Sequence, residues 1–321
     1  MATAEQIKAL IRSHYDGDSE RFSTIALQVA AHEARRGHSG LANSIKTIVD
    51  EERSARRLRV IPFPQDLSGL VLPENPSTPK SALVTTSRLD GRIERIIVEY
   101  RNRNKLKSHG LDHRRKILLV GPPGTGKTMT ARVLAKELSL PLYTIQVDRL
   151  VTKYMGETSA KLRQIFDLIE TDLGVYLFDE FDAIGGGRAL DNDVGEMRRV
   201  VSSLLQFVEQ DTSDSLIVAA TNNPKLLDHA LFRRFDDILI YELPGEEERK
   251  RLTMNVLGTF LAQGFGWKRV LEQSSGLSHS DIDQACKDAI KNAVLADRNH
   301  VTATQLIEAI AERNIIDSLW E

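Results

Sequence analysis

Residues 117–128 read Ile-Leu-Leu-Val-Gly-Pro-Pro-Gly-Thr-Gly-Lys-Thr, and their types and spacing suit phosphate chemistry. Gly121, Gly124 and Gly126 let a backbone close on a polyphosphate, because no Cβ blocks the approach. The amides of such a turn point inward as an anion-binding nest. A helix opening at its end adds partial positive charge. In this G-x-x-x-x-G-K-[ST] pattern Lys127 reaches the β- and γ-phosphates, and the Thr128 hydroxyl holds Mg²⁺. Gly121, Pro122, Pro123, Gly124, Thr125, Gly126, Lys127, Thr128 and Met129 are the expected ATP-contacting set.

A second group of oxygen ligands follows. The apolar run Val175-Tyr176-Leu177-Phe178 ends in Asp179 and Glu180, 51 residues beyond Thr128. In open α/β sheets, ligands bind beyond the carboxyl ends of the strands. Asp179 is therefore expected to hold Mg²⁺ with Thr128, and Glu180 to orient and deprotonate the attacking water. Asp182 is read as structural. Another apolar run, Leu216 to Ala220, leads to Thr221 and Asn222. Asn222 is expected to meet the γ-phosphate or the water, although Asn222-Asn223-Pro224 also makes a turn by itself.

These side chains need a sheet to carry them. Strand signals at 117–120, Leu142 to Val147, 175–178, 216–220 and Ile238 to Tyr241 alternate with helical patterns at 129–138, 159–171 and 194–208. That alternation predicts a parallel sheet covered on both faces. Beyond Gly245 only helical patterns occur, at 246–260, 267–273, 279–292 and 302–313, which predicts a separate all-α unit. Residues 3–58 predict three helices. Their stripes are Ile7, Leu10 and Ile11; then Phe22, Ile25, Ala26, Val29, Ala30 and Ala34; then Leu41, Ile45, Ile48 and Val49. Asp18 or Ser19 would cap the second, and Gly37 would end it. Residues 60–82 hold five prolines, Pro62, Pro64, Pro73, Pro76 and Pro79, and read as an extended connector. From 84 to 116 the chain reads as helical, with Ile93, Ile96, Ile97 and Tyr100 as its apolar stripe.

Composition excludes several classes. The chain of 321 residues carries 43 basic and 45 acidic residues, a net charge of −2 that argues against nucleic acid and anionic membranes. The basic run Arg101, Arg103, Lys105, Lys107, Arg114, Arg115 and Lys116 lacks interleaved aromatics beyond Tyr100 and reads as a solvated face. The single cysteine, Cys286, rules out a disulfide framework and a cysteine-based zinc site, and it reads as inert core. No stretch of about 18 apolar residues occurs and the N-terminus has no apolar signal core, so a cytoplasmic, membrane-free protein is expected.

Four motifs in order, Gly121 to Thr128, Phe178-Asp179-Glu180-Phe181-Asp182-Ala183, Ala220-Thr221-Asn222 and Arg233-Arg234-Phe235-Asp236, resemble the AAA ATPases. The resemblance covers roughly residues 84–313. It implies an α/β P-loop domain with a helical lid, ATP and Mg²⁺ as cofactors, and assembly into a ring, usually a hexamer. It makes Arg233 and Arg234 arginine fingers, which reach the neighbouring subunit's γ-phosphate and neutralise its charge. Their contracted spacing is similar to that of the katanin- and spastin-like branch. The implied organisation is an N-terminal helical docking domain at 1–59, a proline-rich linker at 60–83, a large ATPase domain at 84–243 and a lid at 244–321. In one place the chain departs from the family. The lid usually carries Gly-x-Ser-Gly-Ala-Asp near the adenine, and this chain has Gly276-Leu277-Ser278-His279-Ser280-Asp281.

Lys153-Tyr154-Met155-Gly156 is similar to the first pore loop of protein-threading members of that family. Tyr154 would give a flat, sequence-tolerant grip and Met155 an adaptable apolar one. Gly185 to Asp193 is similar to a second pore loop. The resemblance therefore implies an ATP-driven remodeller that threads polypeptide, with a protein substrate or effector, such as a protease, docked by residues 1–58. The alternative is a nucleotide-controlled switch that assembles on ATP and governs an effector without threading.

Overall fold

The computed structural model describes residues 8–11, 13, 19–57, 67, 69–150, 155–184, 194–226 and 232–317. The chain forms two compact units, Met1–Pro62 and Phe63–Glu321.

In the first unit, helices α1 (Ser19–Arg35) and α2 (Ser39–Arg57) form an antiparallel pair around Ala26, Val29, Ala30, Ala42 and Val49. The turn between them uses Gly37 at φ 86°, a backbone that a Cβ would strain. The inner face of α2 is only partly the expected stripe: Val49 is buried as expected, Leu41 and Ile48 are exposed, and Ala42 takes a buried position. The small side chain of Ala42 lets the helices approach where a leucine would hold them apart. The helix expected around Ile7, Leu10 and Ile11 lies largely outside the described residues.

The second unit is built on a sheet of six strands among the described residues, in the order β1-β3-β4-β5-β2-β6. Strands β2 (Lys116–Val120), β3 (Leu142–Ile145), β4 (Val175–Phe178), β5 (Leu216–Thr221) and β6 (Asp237–Ile240) run parallel. β2, β4 and β5 are buried at every residue, which is why they read as unbroken apolar runs. Alternation along β2 sends Leu118 and Val120 into one core and Ile117 and Leu119 into the other. The first core lies under helices α6 (Val147–Leu150), α7 (Met155–Thr171) and α8 (Val194–Gln210), and the second under α3 (Ser87–Arg101) and α5 (Lys127–Leu138).

Two elements differ from expectation. The proline-rich segment supplies the sixth strand, β1 (Val71–Glu74), antiparallel to β3 with Pro73 opposite Tyr143. Proline lacks the amide a central strand needs, and an edge strand tolerates that. The helical reading of 84–116 stops early: α3 is followed by the short α4 (Arg103–Ser108), and Lys116 already belongs to β2. The basic run is largely ion-paired here: Arg103 and Lys107 to Asp214, Arg114 to Glu99, and Arg115 to Asp211.

A helical bundle completes the unit: α9 (Glu246–Leu257), α10 (Trp267–Gln273), α11 (His279–Leu295) and α12 (Ala303–Asp317). Its core includes Leu252, Ile282, Ala285, Ala289, Leu306 and Ile310. Val84, from the segment ahead of α3, belongs to the same core. Cys286 is fully buried in it, and burial pushes its thiol up to about 12.

Candidate active site

The phosphate-binding turn sits between β2 and α5, at the carboxyl end of the sheet. Its neighbours leave no room for larger residues. A Cβ on Gly121 would lie 2.3 Å from the Tyr241 carbonyl oxygen, and one on Gly124 would lie 2.4 Å from Ser278 Oγ. The Gly121 amide donates to the Thr221 carbonyl at 3.3 Å, which ties the turn to the end of β5.

Lys127 Nζ donates to the carbonyl oxygens of Gly121 at 2.8 Å and Pro122 at 2.7 Å. Burial lowers the pKa of this ammonium, and the carboxylates of Asp179 and Asp182 oppose that shift. Thr128 Oγ1 donates to Asp179 Oδ2 at 2.8 Å. Asp179 Oδ1 in turn accepts the Glu180 amide at 3.0 Å. Glu180 has φ 52°, a left-handed backbone that a side chain disfavours. Such strain concentrates where a carboxylate must be aimed. Beyond β5, the Asn222 amide donates to Asp182 Oδ1 at 3.2 Å, so Asp182 fixes the loop that carries Asn222.

Pro123, Gly124, Thr125, Gly126, Lys127, Thr128, Met129, Asp179, Glu180 and Asn222 all line one cavity of about 970 Å³. Gly121 and Pro122 lie beneath it and hold Lys127. Arg233 and Arg234 do not line this cavity. Arg233 is exposed, and Arg234 Nε donates to Glu209 Oε2 at 3.1 Å. Lys153 and Tyr154 lie outside the described residues, as does the whole of 185–193. Met155 and Gly156 are backbone residues of α7, which therefore starts four residues earlier than the expected Ser159.

Sequence reasoning missed one wall of the cavity. Ala82 and Leu83 from the supposed linker, Val84 just beyond it, Asn255 and Val256 from α9, and His279 from α11 surround its other end. Their only signal is a short apolar pair after the prolines and the departure at His279. Burial lowers the pKa of the His279 ring, which favours its neutral form. The Ser278 side chain accepts the Asp281 amide and its own amide donates to the Asp281 carboxylate, a capping box that opens α11 beside the turn.

A hydroxyl and a single carboxylate converging beside a phosphate nest suit a hard, six-coordinate ion that takes its remaining ligands from phosphate and water. Among the described residues, no group of three or more His, Cys, Asp or Glu side chains is placed to hold a metal ion.

Residues 117–243 match the ATPase family associated with various cellular activities, AAA. Over nearly its full length the chain is similar to the uncharacterized AAA family ATPase y4kL of Sinorhizobium fredii. They are 30% identical over 325 residues, covering 97% of this chain and 96% of that one. The chain belongs to the AAA ATPase family. This AAA ATPase binds nucleotide and hydrolyses ATP to ADP and phosphate. It is also similar to a putative 26S proteasome regulatory subunit homolog of Methanothermobacter thermautotrophicus, at 34% identity over 206 residues, 63% of this chain and 55% of that one. A proteasome-activating nucleotidase of Saccharolobus solfataricus is 31% identical over 292 residues, 84% of this chain and 72% of that one. Among the described residues, no helix of the AAA ATPase is long and apolar enough to cross a membrane.

Proposed function

We propose that this AAA ATPase is a ring-forming protein remodeller that uses ATP to pull on polypeptide, in the service of an effector such as a protease. The observation that carries its ATPase part is the Thr128–Asp179 hydrogen bond, whose two residues line a cavity shared with Lys127, Glu180 and Asn222. Relatives named as proteasome-activating nucleotidases and proteasome regulatory subunit homologs support the protein-directed part.

In this reading Lys127 leaves the Gly121 and Pro122 carbonyls for the β- and γ-phosphates. Thr128 and Asp179 would hold Mg²⁺, which would supply charge neutralisation for the phosphates. Glu180 takes the proton of the attacking water, and Asn222 holds that water or the γ-phosphate in line. Arg233 and Arg234 belong to the neighbouring subunit's site. Strand register supports that assignment: their turn precedes Asp237, which pairs with Ile117 at the start of β2, whereas the cavity opens past Val120 at its end. The five residues of β2 are separated by four rises of about 3.3 Å and span about 13 Å, beyond the reach of an arginine toward its own nucleotide. The contracted Arg233-Arg234-Phe235 motif is the reason for grouping the chain with the katanin- and spastin-like branch. Residues 1–58 dock the substrate or effector, and the assembly is a hexamer working in the cytoplasm.

Tyr154→Ala tests threading against the switch alternative. The variant is expected to hydrolyse ATP and to stop remodelling its target. Remodelling at the wild-type rate would leave the switch as the better reading.

A further inference from the structure

A hydroxyl at the end of β6 reaches the phosphate-binding turn from behind. Tyr241 follows β6 directly and is buried, and its hydroxyl meets Thr130 Oγ1 of α5 at 2.6 Å. Thr130 Oγ1 in turn lies 3.1 Å from the Gly126 carbonyl oxygen. A carbonyl only accepts, so the single hydroxyl proton of Thr130 goes to Gly126, and Tyr241 donates to Thr130. Burial raises the pKa of the phenol, which keeps this donor protonated.

Gly126 needs such a holder. It caps α5 at φ 97° and has no side chain with which to fix itself. Its carbonyl accepts from the Thr130 amide at 2.9 Å as well as from the Thr130 hydroxyl. The peptide joining Gly126 to Lys127 is planar and trans, so its C=O and N–H point in opposite directions. With the carbonyl held along α5, the Lys127 amide is left facing away from the helix. It is one of the first amides of α5, which have no partner within the helix and suit an anion.

The same residue touches the other end of the turn. The Tyr241 amide donates to the Val120 carbonyl at 2.7 Å, and a Cβ on Gly121 would run into the Tyr241 carbonyl oxygen. Tyr241 thus brackets residues 121–126, with its backbone at Gly121 and its side chain acting on Gly126.

We propose that Tyr241, acting through Thr130, is a positioning residue for the nucleotide phosphates: its hydroxyl locks the Gly126 carbonyl and so keeps the Lys127 amide aimed at the bound anion. The inference rests on the phosphate-binding reading of residues 121–128.

The experiment titrates ATP onto the whole chain and records thermal melting without nucleotide. The variants are Tyr241→Phe, Thr130→Val, Thr130→Ser, the pair Tyr241→Phe with Thr130→Val, and Lys127→Ala. Tyr241→Phe and Thr130→Val are each expected to raise the Kd for ATP about fivefold, the worth of one neutral hydrogen bond. The pair is expected to lose no more than about fivefold, because both changes break one chain of hydrogen bonds. Thr130→Ser keeps the hydroxyl and is expected to restore the affinity that Thr130→Val loses. A Tyr241→Phe protein that melts lower yet binds ATP as the wild type does assigns the bond to stability alone and overturns the inference. A pair whose two losses multiply overturns it too. Should Tyr241→Phe not fold, Thr130→Val and Thr130→Ser decide, and equal ATP affinities in those two overturn it. Lys127→Ala separates the two readings. If it loses ATP while Tyr241→Phe keeps it, this inference alone falls; if it binds as the wild type does, the phosphate-binding reading falls with it.

Discussion

The amide of Ser280 donates to the carbonyl of Gly124 across 3.0 Å, joining the helical bundle directly to the phosphate-binding turn. Ser278 Oγ crowds the same glycine from the capping box of α11. The bundle therefore senses the shape of the turn through contacts that involve no nucleotide. Any change in the turn on binding phosphate has to be matched at the first residues of α11.

Gly124→Ala is the sharpest probe of that joint. Its φ of 70° disfavours any Cβ, and the added carbon would meet Ser278 Oγ. The variant is expected to lose about 1–2 kcal/mol of stability and to bind nucleotide more weakly. Thermal melting and a nucleotide titration measure both. An unchanged melting temperature would show that the joint gives way freely.

Glu180→Gln keeps the shape of the side chain and removes the proposed base. We expect ATP to bind normally, hydrolysis to fall by roughly 10²–10⁴, and assembled rings to accumulate. Ordinary turnover in this variant would move the base to another residue.

Thr128→Ala removes the donor to Asp179 and one expected ligand of Mg²⁺. The Mg²⁺ concentration for half-maximal hydrolysis is expected to rise by about tenfold or more. A Mg²⁺ titration of the ATPase that superimposes on the wild type would separate Thr128 from the metal.

The pH dependence of stability is expected to come in part from His113, far from the cavity. The residue is 3% exposed, its ring meets Tyr100 edge-on at 5.3 Å, and neither nitrogen has a hydrogen-bond partner among the described residues. Burial lowers its pKa from the ordinary 6.5, opposed by Asp214 and reinforced by Arg115, Lys107 and Arg103. The unfolded chain takes up a proton near 6.5 where the folded chain still refuses it. Stability from this site is therefore complete above that pH and is lost as pH falls below it. Urea midpoints compared at about pH 7.5 and about pH 5.5 should drop, and His113→Phe should flatten the drop. An equal drop in that variant would assign the effect to other groups.

Much of the fold was legible because its signals were local. The unbroken apolar runs of β2, β4 and β5 are buried on both faces, and glycines at 121, 124 and 126 mark the turn between β2 and α5. Asp179 could be brought to Thr128 by reasoning, since Asp179 follows β4 and Thr128 lies in the first turn of the helix after β2, both at the carboxyl ends of parallel strands of one sheet. The features that escaped depend on distant neighbours. β1 is a strand only because β3 offers it an edge, and nothing in Val71-Leu72-Pro73-Glu74 announces that. Leu83 and Val84 line the cavity without periodicity, and the basic run owes its neutralisation to Asp211 and Asp214, about a hundred residues away. Long-range ion pairs leave no mark on local pattern.

The segment ahead of α3 has a mechanical consequence. Val84 is embedded in the bundle core, so a shift of the bundle tugs on the chain just before it. Moving toward the N-terminus, that tug first meets Lys80, whose ammonium is held by Glu94 at 2.6 Å and Asp90 at 3.3 Å on α3. Next it meets the four paired residues of β1, laid against β3. The arrangement is a cable with two clamps. The residues between are held as well, since Lys80–Ala82 form a 3-10 turn and Leu83 packs in the second core, so a pull at the nucleotide end is grounded in the sheet before it reaches residue 70.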